Sequence, residues 1–125
     1  MVPLRFPWIW WTLGWLLVVG VSVSSLLPSD MLPDISTRDK LVHASVYCLL
    51  MIWFSGLYAR RRHWIIALLL FALGFALDAA QQASPSRQFD LADVAANAGG
   101  IILGLLLAWL VFEGWCRRIE QLLLR

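Results

Sequence analysis

Apolar residues along this chain fall into four blocks, each close to the roughly 20 that cross a bilayer as a helix, separated by short polar stretches. The blocks predict helices over residues 8–27, 40–58, 64–82 and 91–112. Pro28 marks the end of the first, because the residue before a proline is biased away from helix. The segment PSDMLPDISTRD leads to the second helix, Arg60, Arg61, Arg62 and His63 divide the second from the third, and SPSRQFD turns the third into the fourth. The tail EGWCRRIEQLLLR is short and amphipathic, the pattern of a helix lying along a membrane surface. Arg5, a long apolar run and small residues at positions 22–25 have the outline of a cleavable signal peptide. The run outlasts a signal core and carries Trp8, Trp10, Trp11 and Trp15, so a retained first helix is expected.

Composition turns that pattern into a class. Of 125 residues, 61% are hydrophobic and 14% charged, more apolar surface than a water-soluble domain of this size can hide. The expectation is one all-α membrane domain of four transmembrane helices over residues 1–125. A net charge of +2 is too small to imply nucleic acid, and the positions of the basic residues fit topology better. Arg60–Arg62 form the densest cluster, and Arg5, Arg117 and Arg118 fall on the same side, so both termini are expected in the cytoplasm. Trp8, Trp64 and Trp115 then sit where inner-interface anchors belong. Cys48 lies within an apolar block and Cys116 beyond the last one, with no CxxC or metal-ligand spacing, so no disulfide, metal or other cofactor is expected.

Against this background, a few polar residues are out of place for lipid-bounded helices. With the predicted topology, the second and fourth helices begin at the outer face and the first and third end there. Lys40, His43 and Tyr47 are spaced by three and four, so they share one face of the second helix, with Asp39 at its start. Gly74, Asp78 and Gln81 or Gln82 repeat the arrangement on the third. Asp93, Asn97, Gly100 and Gly104 form a stripe on the fourth, ending in a GxxxG that admits another helix close to the backbone. All lie near one depth, where polar groups from three helices can converge. Asp39 and Asp93, at helix starts, have the ordinary task of complementing the dipole. Asp78, near a helix C-terminus, is disfavoured there and needs a partner, for which Arg87, Lys40 and His43 are candidates. Arg87 suits a phosphate or carboxylate through its fixed fork of donors, and pairing with Asp90 or Asp93 is its bland alternative.

At these residues the chain resembles the VanZ-like family of small bacterial membrane proteins. The segment DKLVHASVY carries the family's Asp-Lys pair, His and Tyr as Asp39, Lys40, His43 and Tyr47. The segment DAAQQASPSRQFDLADVAANAGG carries Asp78, Gln81, Arg87, Asp93, Asn97 and a glycine at Gly99 or Gly100. Where the family usually has Glu, this chain has the shorter Asp78. The resemblance covers residues 28–104 and implies a multi-pass protein of the bacterial cytoplasmic membrane, linked to the cell envelope and tolerance of the glycopeptide teicoplanin.

The expected site is an outward-facing pocket that binds an anionic headgroup, on a phospholipid or a polyprenyl-phosphate envelope precursor. Asp39, Lys40, His43, Tyr47, Asp78, Gln81, Arg87, Asp93 and Asn97 would form it. Arg87, Asp93 and Asn97 share the spacing of the SRxxxxxHxxxD motif of lipid phosphate phosphatases, with Asp93 where that motif has histidine and the partner motifs KxxxxxxRP and PSGH absent. Two other readings stay open: an enzyme on a lipid phosphate, with His43 or Asp78 as general acid or base, and a structural protein whose polar cluster locks helices together.

Overall fold

The computed structural model describes residues 3–26, 39–81 and 91–124, all of whose regular structure is helical. Among the described residues, five α-helices follow in order: α1 (Pro7–Leu26), α2 (Asp39–Ser55), α3 (His63–Gln81), α4 (Leu91–Leu110) and α5 (Trp115–Leu123), with a 3-10 turn, Arg60–Arg62, leading into α3. The helix ends fall close to those predicted, except that α2 stops at Ser55 rather than residue 58 and α4 at Leu110 rather than residue 112. Helices α1, α3 and α4 are long and apolar enough to cross a membrane. The apolar part of α2, Leu41–Ser55, is shorter. With 17 residues in all, α2 lies at the lower limit of what spans the ~30 Å hydrocarbon core. Large apolar side chains such as Trp8, Leu16, Leu69 and Leu110 stand exposed on the outer faces, a surface suited to lipid and not to water.

The centre of the bundle is the pairing of α2 with α4, by far the most extensive helix contact. The reason lies in the GxxxG. A β-carbon at Gly100 would run into the backbone carbonyl of Ala44, and one at Gly104 would come within 2.7 Å of the Cys48 carbonyl oxygen. Residues 44 and 48 are one turn apart on α2, as are 100 and 104 on α4, so the two backbones lie against each other along a stripe. Between lipid-bathed helices, such close packing supplies the association that a hydrophobic effect cannot. Helix α3 closes one side of this pair. Helix α1 packs more loosely and buries little of itself. Tyr47, Leu50, Met51, Phe54, Leu57, Leu70, Ile101 and Cys116 form the core.

Candidate functional site

Three helices each contribute residues one turn apart to a polar cluster at the end of the bundle away from Arg60–Arg62. Helix α2 supplies His43 and Tyr47, α3 supplies Gly74 and Asp78, and α4 supplies Asp93 and Asn97. Asn97 is the middle of a relay. Its Nδ2 donates to Asp78 Oδ2 at 3.1 Å, and its Oδ1 lies 3.1 Å from His43 Nδ1. A carboxylate only accepts, which orients the amide nitrogen to Asp78 and leaves Oδ1 as an acceptor, so the proton of that second bond sits on His43 Nδ1. The relay thus fixes both ring orientation and tautomer, and the remaining chemistry of the imidazole falls to Nε2.

Tyr47, Asp78 and Asn97 are each no more than 3% exposed, while His43 and Asp93 are half-buried. A buried carboxylate near the C-terminal end of a helix is opposed both by desolvation and by the dipole. The Asn97 amide is one of the groups that offset this. Gly74 makes the crossing possible. A β-carbon there would stand 2.9 Å from Asn97 Nδ2 and 3.2 Å from the Tyr47 hydroxyl oxygen, so its absence lets both side chains reach α3.

Of the nine predicted site residues, His43, Asp78 and Asn97 are therefore brought together by hydrogen bonds. Tyr47 packs beside Asn97 against Gly74 and is within electrostatic reach of Asp78. Asp93 lies in the first turn of α4, one turn from Asn97. Asp39 and Lys40 open α2 and Gln81 ends α3, but their side chains, and the whole of Arg87, lie outside the described residues. Among the described residues, no three His, Cys, Asp or Glu side chains group as metal ligands do.

The opposite end holds a second polar network that was not anticipated. Glu120 of α5 accepts from the backbone N–H of Arg5 at 2.7 Å, that of Phe6 at 3.0 Å and the Trp10 indole at 2.8 Å. It places a carboxylate at the positive end of α1, where the dipole favours it. Burial alone would raise the Glu120 carboxyl, but these three donors and the charge of Arg5 hold it below its usual value. Beside it, burial and then the Glu120 charge push the Cys116 thiol up to about 12.

His63 is the other hub at this end. The Trp109 indole, which can only donate, gives its proton to His63 Nδ1 at 2.8 Å. His63 is thus the Nε2–H tautomer, shared between the carbonyl oxygens of Ser55 at 2.9 Å and Tyr58 at 3.0 Å. The first residue of α3 thereby satisfies carbonyls at and just past the end of α2, which have no partner within that helix. The Trp115 indole takes the Ile52 carbonyl at 2.8 Å, and Trp53 takes that of Trp10 at 3.0 Å. Trp10, Trp53 and Trp115 meet edge-on or tilted, with centroids 5.1–5.8 Å apart, and the Arg60 guanidinium lies over Trp109 at 4.8 Å. Trp8 and Trp64 are exposed as interface anchors would be, but Trp115, expected among those anchors, is instead a half-buried hydrogen-bond donor.

No protein-family model, curated protein or solved structure matches this chain.

Proposed function

We propose that the chain is a four-span protein of the bacterial cytoplasmic membrane, with both termini in the cytoplasm, whose polar cluster binds an anionic headgroup at the outer face. The headgroup would be the phosphate of a lipid or lipid-linked envelope precursor such as a polyprenyl phosphate. The observation that carries this reading is the His43–Asn97–Asp78 relay. Asp78 and Asn97 are buried positioning groups, and half-buried His43 is the one held in a defined orientation at the membrane boundary. Lys40 and Arg87 would add positive charge from the start of α2 and from the segment between α3 and α4, close to two helix N-termini that favour anions. Topology is supported by the gathering of α5, the start of α1 and the Arg60–Arg62 turn at one end, since clustered basic residues face the cytoplasm. The VanZ-like resemblance points the same way, toward the cell envelope and glycopeptide tolerance.

The test is binding of the purified protein to liposomes containing a polyprenyl phosphate, compared with liposomes lacking it. His43→Ala and Arg87→Ala should abolish the difference while leaving helical content unchanged, with a lower melting temperature only in His43→Ala, which takes the partner from the buried Asn97 Oδ1. A second reading, a helix lock, is favoured by the satisfaction of the relay: among the described residues, no buried side-chain nitrogen or oxygen lacks a partner. Under that reading, Asp78→Asn lowers the melting temperature and neither variant alters lipid binding. Turnover of labelled polyprenyl phosphate by the wild type, lost in His43→Ala, would instead make the site an enzyme's, with the oriented imidazole as general acid or base.

A further inference from the structure

We propose that a groove between α1 and α3 holds one acyl chain of an anionic phospholipid, with the lipid phosphate at Arg62. The groove has a volume of about 450 Å³ and is lined by Trp15 of α1, Phe54 at the end of α2, Tyr58 and Arg62 between α2 and α3, and Leu69 and Leu73 along α3. Its volume falls in the ~300–1,000 Å³ range of small-molecule sites. It exists because α1 packs loosely, its hydrogen bonds to the bundle through Glu120 and Trp53 lying at its N-terminal end.

Three features select the occupant. Every lining side chain except Arg62 is apolar or aromatic, and none is acidic. The cation is at one end only, and the two neighbouring arginines make that rim strongly positive, Arg60 being engaged over the Trp109 ring. At ~1.5 Å per residue the stretch from Arg62 to Leu73 runs about 16 Å, half of the ~30 Å hydrocarbon core. A positive mouth at the interface and an apolar trough ending near mid-bilayer match the phosphate and one chain of a lipid in a single leaflet. This site is at the opposite end of α3 from Asp78, and it does not depend on the function proposed for the His43 relay.

The experiment is native mass spectrometry of the purified chain in a mild non-ionic detergent, titrated with phosphatidylglycerol or phosphatidylcholine of equal chain length. One phosphatidylglycerol per chain should be retained at lower lipid concentration than phosphatidylcholine. Arg62→Gln should weaken phosphatidylglycerol retention about fivefold, the effect of one basic residue near an anionic lipid, and remove the preference. Leu69→Trp should weaken both lipids by filling the trough; Leu69 is exposed, so helix packing survives, as circular dichroism would verify. Repeating the titration in a His43→Ala background separates this groove from the relay, because retention there should be unchanged. Equal retention by wild type and Leu69→Trp, or a preference that survives Arg62→Gln, overturns the proposal. So does a lipid-free dimer that Leu69→Trp dissociates, which would make the groove an interface between two copies.

Discussion

The two ends of this bundle solve the same problem with different chemistry. At the Arg60–Arg62 end, single side chains bind backbone groups, some at helix ends and some, such as the Ile52 carbonyl that the Gly56 N–H also engages, within the helix pairing. Indole N–H groups of Trp53 and Trp115 take carbonyls, His63 takes two more, and Glu120 gathers three donors at the start of α1. At the other end the polar groups are side chains in series, His43 to Asn97 to Asp78, running across helices rather than capping them. Capping needs only a partner of the right sign. A buried relay between helix interiors serves no end group, so it either locks the helices or positions a side chain for a ligand. That contrast is why the His43 end carries the functional reading.

The comparison can be broken most severely at the spine both ends share. Gly100→Ala would push a methyl into the Ala44 backbone and is expected to cost about 3 kcal/mol or more, read as loss of a monodisperse, helical sample and of both networks at once. Glu120→Ala acts on one end. It strips the acceptor from three donors and should lower unfolding stability by about 2–3 kcal/mol, while liposome binding through the relay stays unchanged. Asp78→Leu acts on the other, leaving the buried Asn97 amide without this acceptor, and should cost about 2 kcal/mol together with lipid binding.

A smaller effect follows from acid. The Glu120 carboxyl is held below its usual value, so its share of stability is complete above the ordinary carboxylate range and is lost as pH falls from that range through the lowered folded value. Melting temperature should therefore decline on acidification in the wild type and less in Glu120→Gln. The mildest measurement is thiol alkylation. Cys116, fully buried and pushed up to about 12, should resist maleimide at mildly alkaline pH in the folded protein and react after denaturation. Faster labelling in Glu120→Ala than in Glu120→Gln, with no change at Cys48, would show α5 leaving its seat, because both variants lose the charge that raises the thiol.

Much of this architecture was legible in the chain. Blocks of apolar residues mark helices whatever surrounds them, and the spacing of Gly100 and Gly104 announces a close helix neighbour, though not that the neighbour is α2. His43, Asp78 and Asn97 stood out because polar residues inside apolar blocks need a reason. Glu120 did not stand out. In an amphipathic tail, a glutamate is ordinary, and its partners Arg5, Phe6 and Trp10 are 110 or more residues away. His63 is hidden at the end of the arginine run, where the sequence marks it only as part of the divider between the second and third helices. The tryptophans misled for a related reason: amphipathic rings near a helix end suit both an interface anchor and an internal donor, and only packing distinguishes Trp64 from Trp115. The early end of α2 was illegible too, since apolar residues continue past Ser55 into the turn.

The Glu120 clamp also sets an order of events during synthesis. The groups it binds, at Arg5, Phe6 and Trp10, leave the ribosome more than a hundred residues before Glu120 does. Through that interval α1 must wait without its stitch, while α2, α3 and α4 are still being made. A nascent chain arrested before Glu120 would present α1 with Arg5, Phe6 and Trp10 still lacking that carboxylate, a state that insertion and quality-control machinery could tell apart from the finished protein.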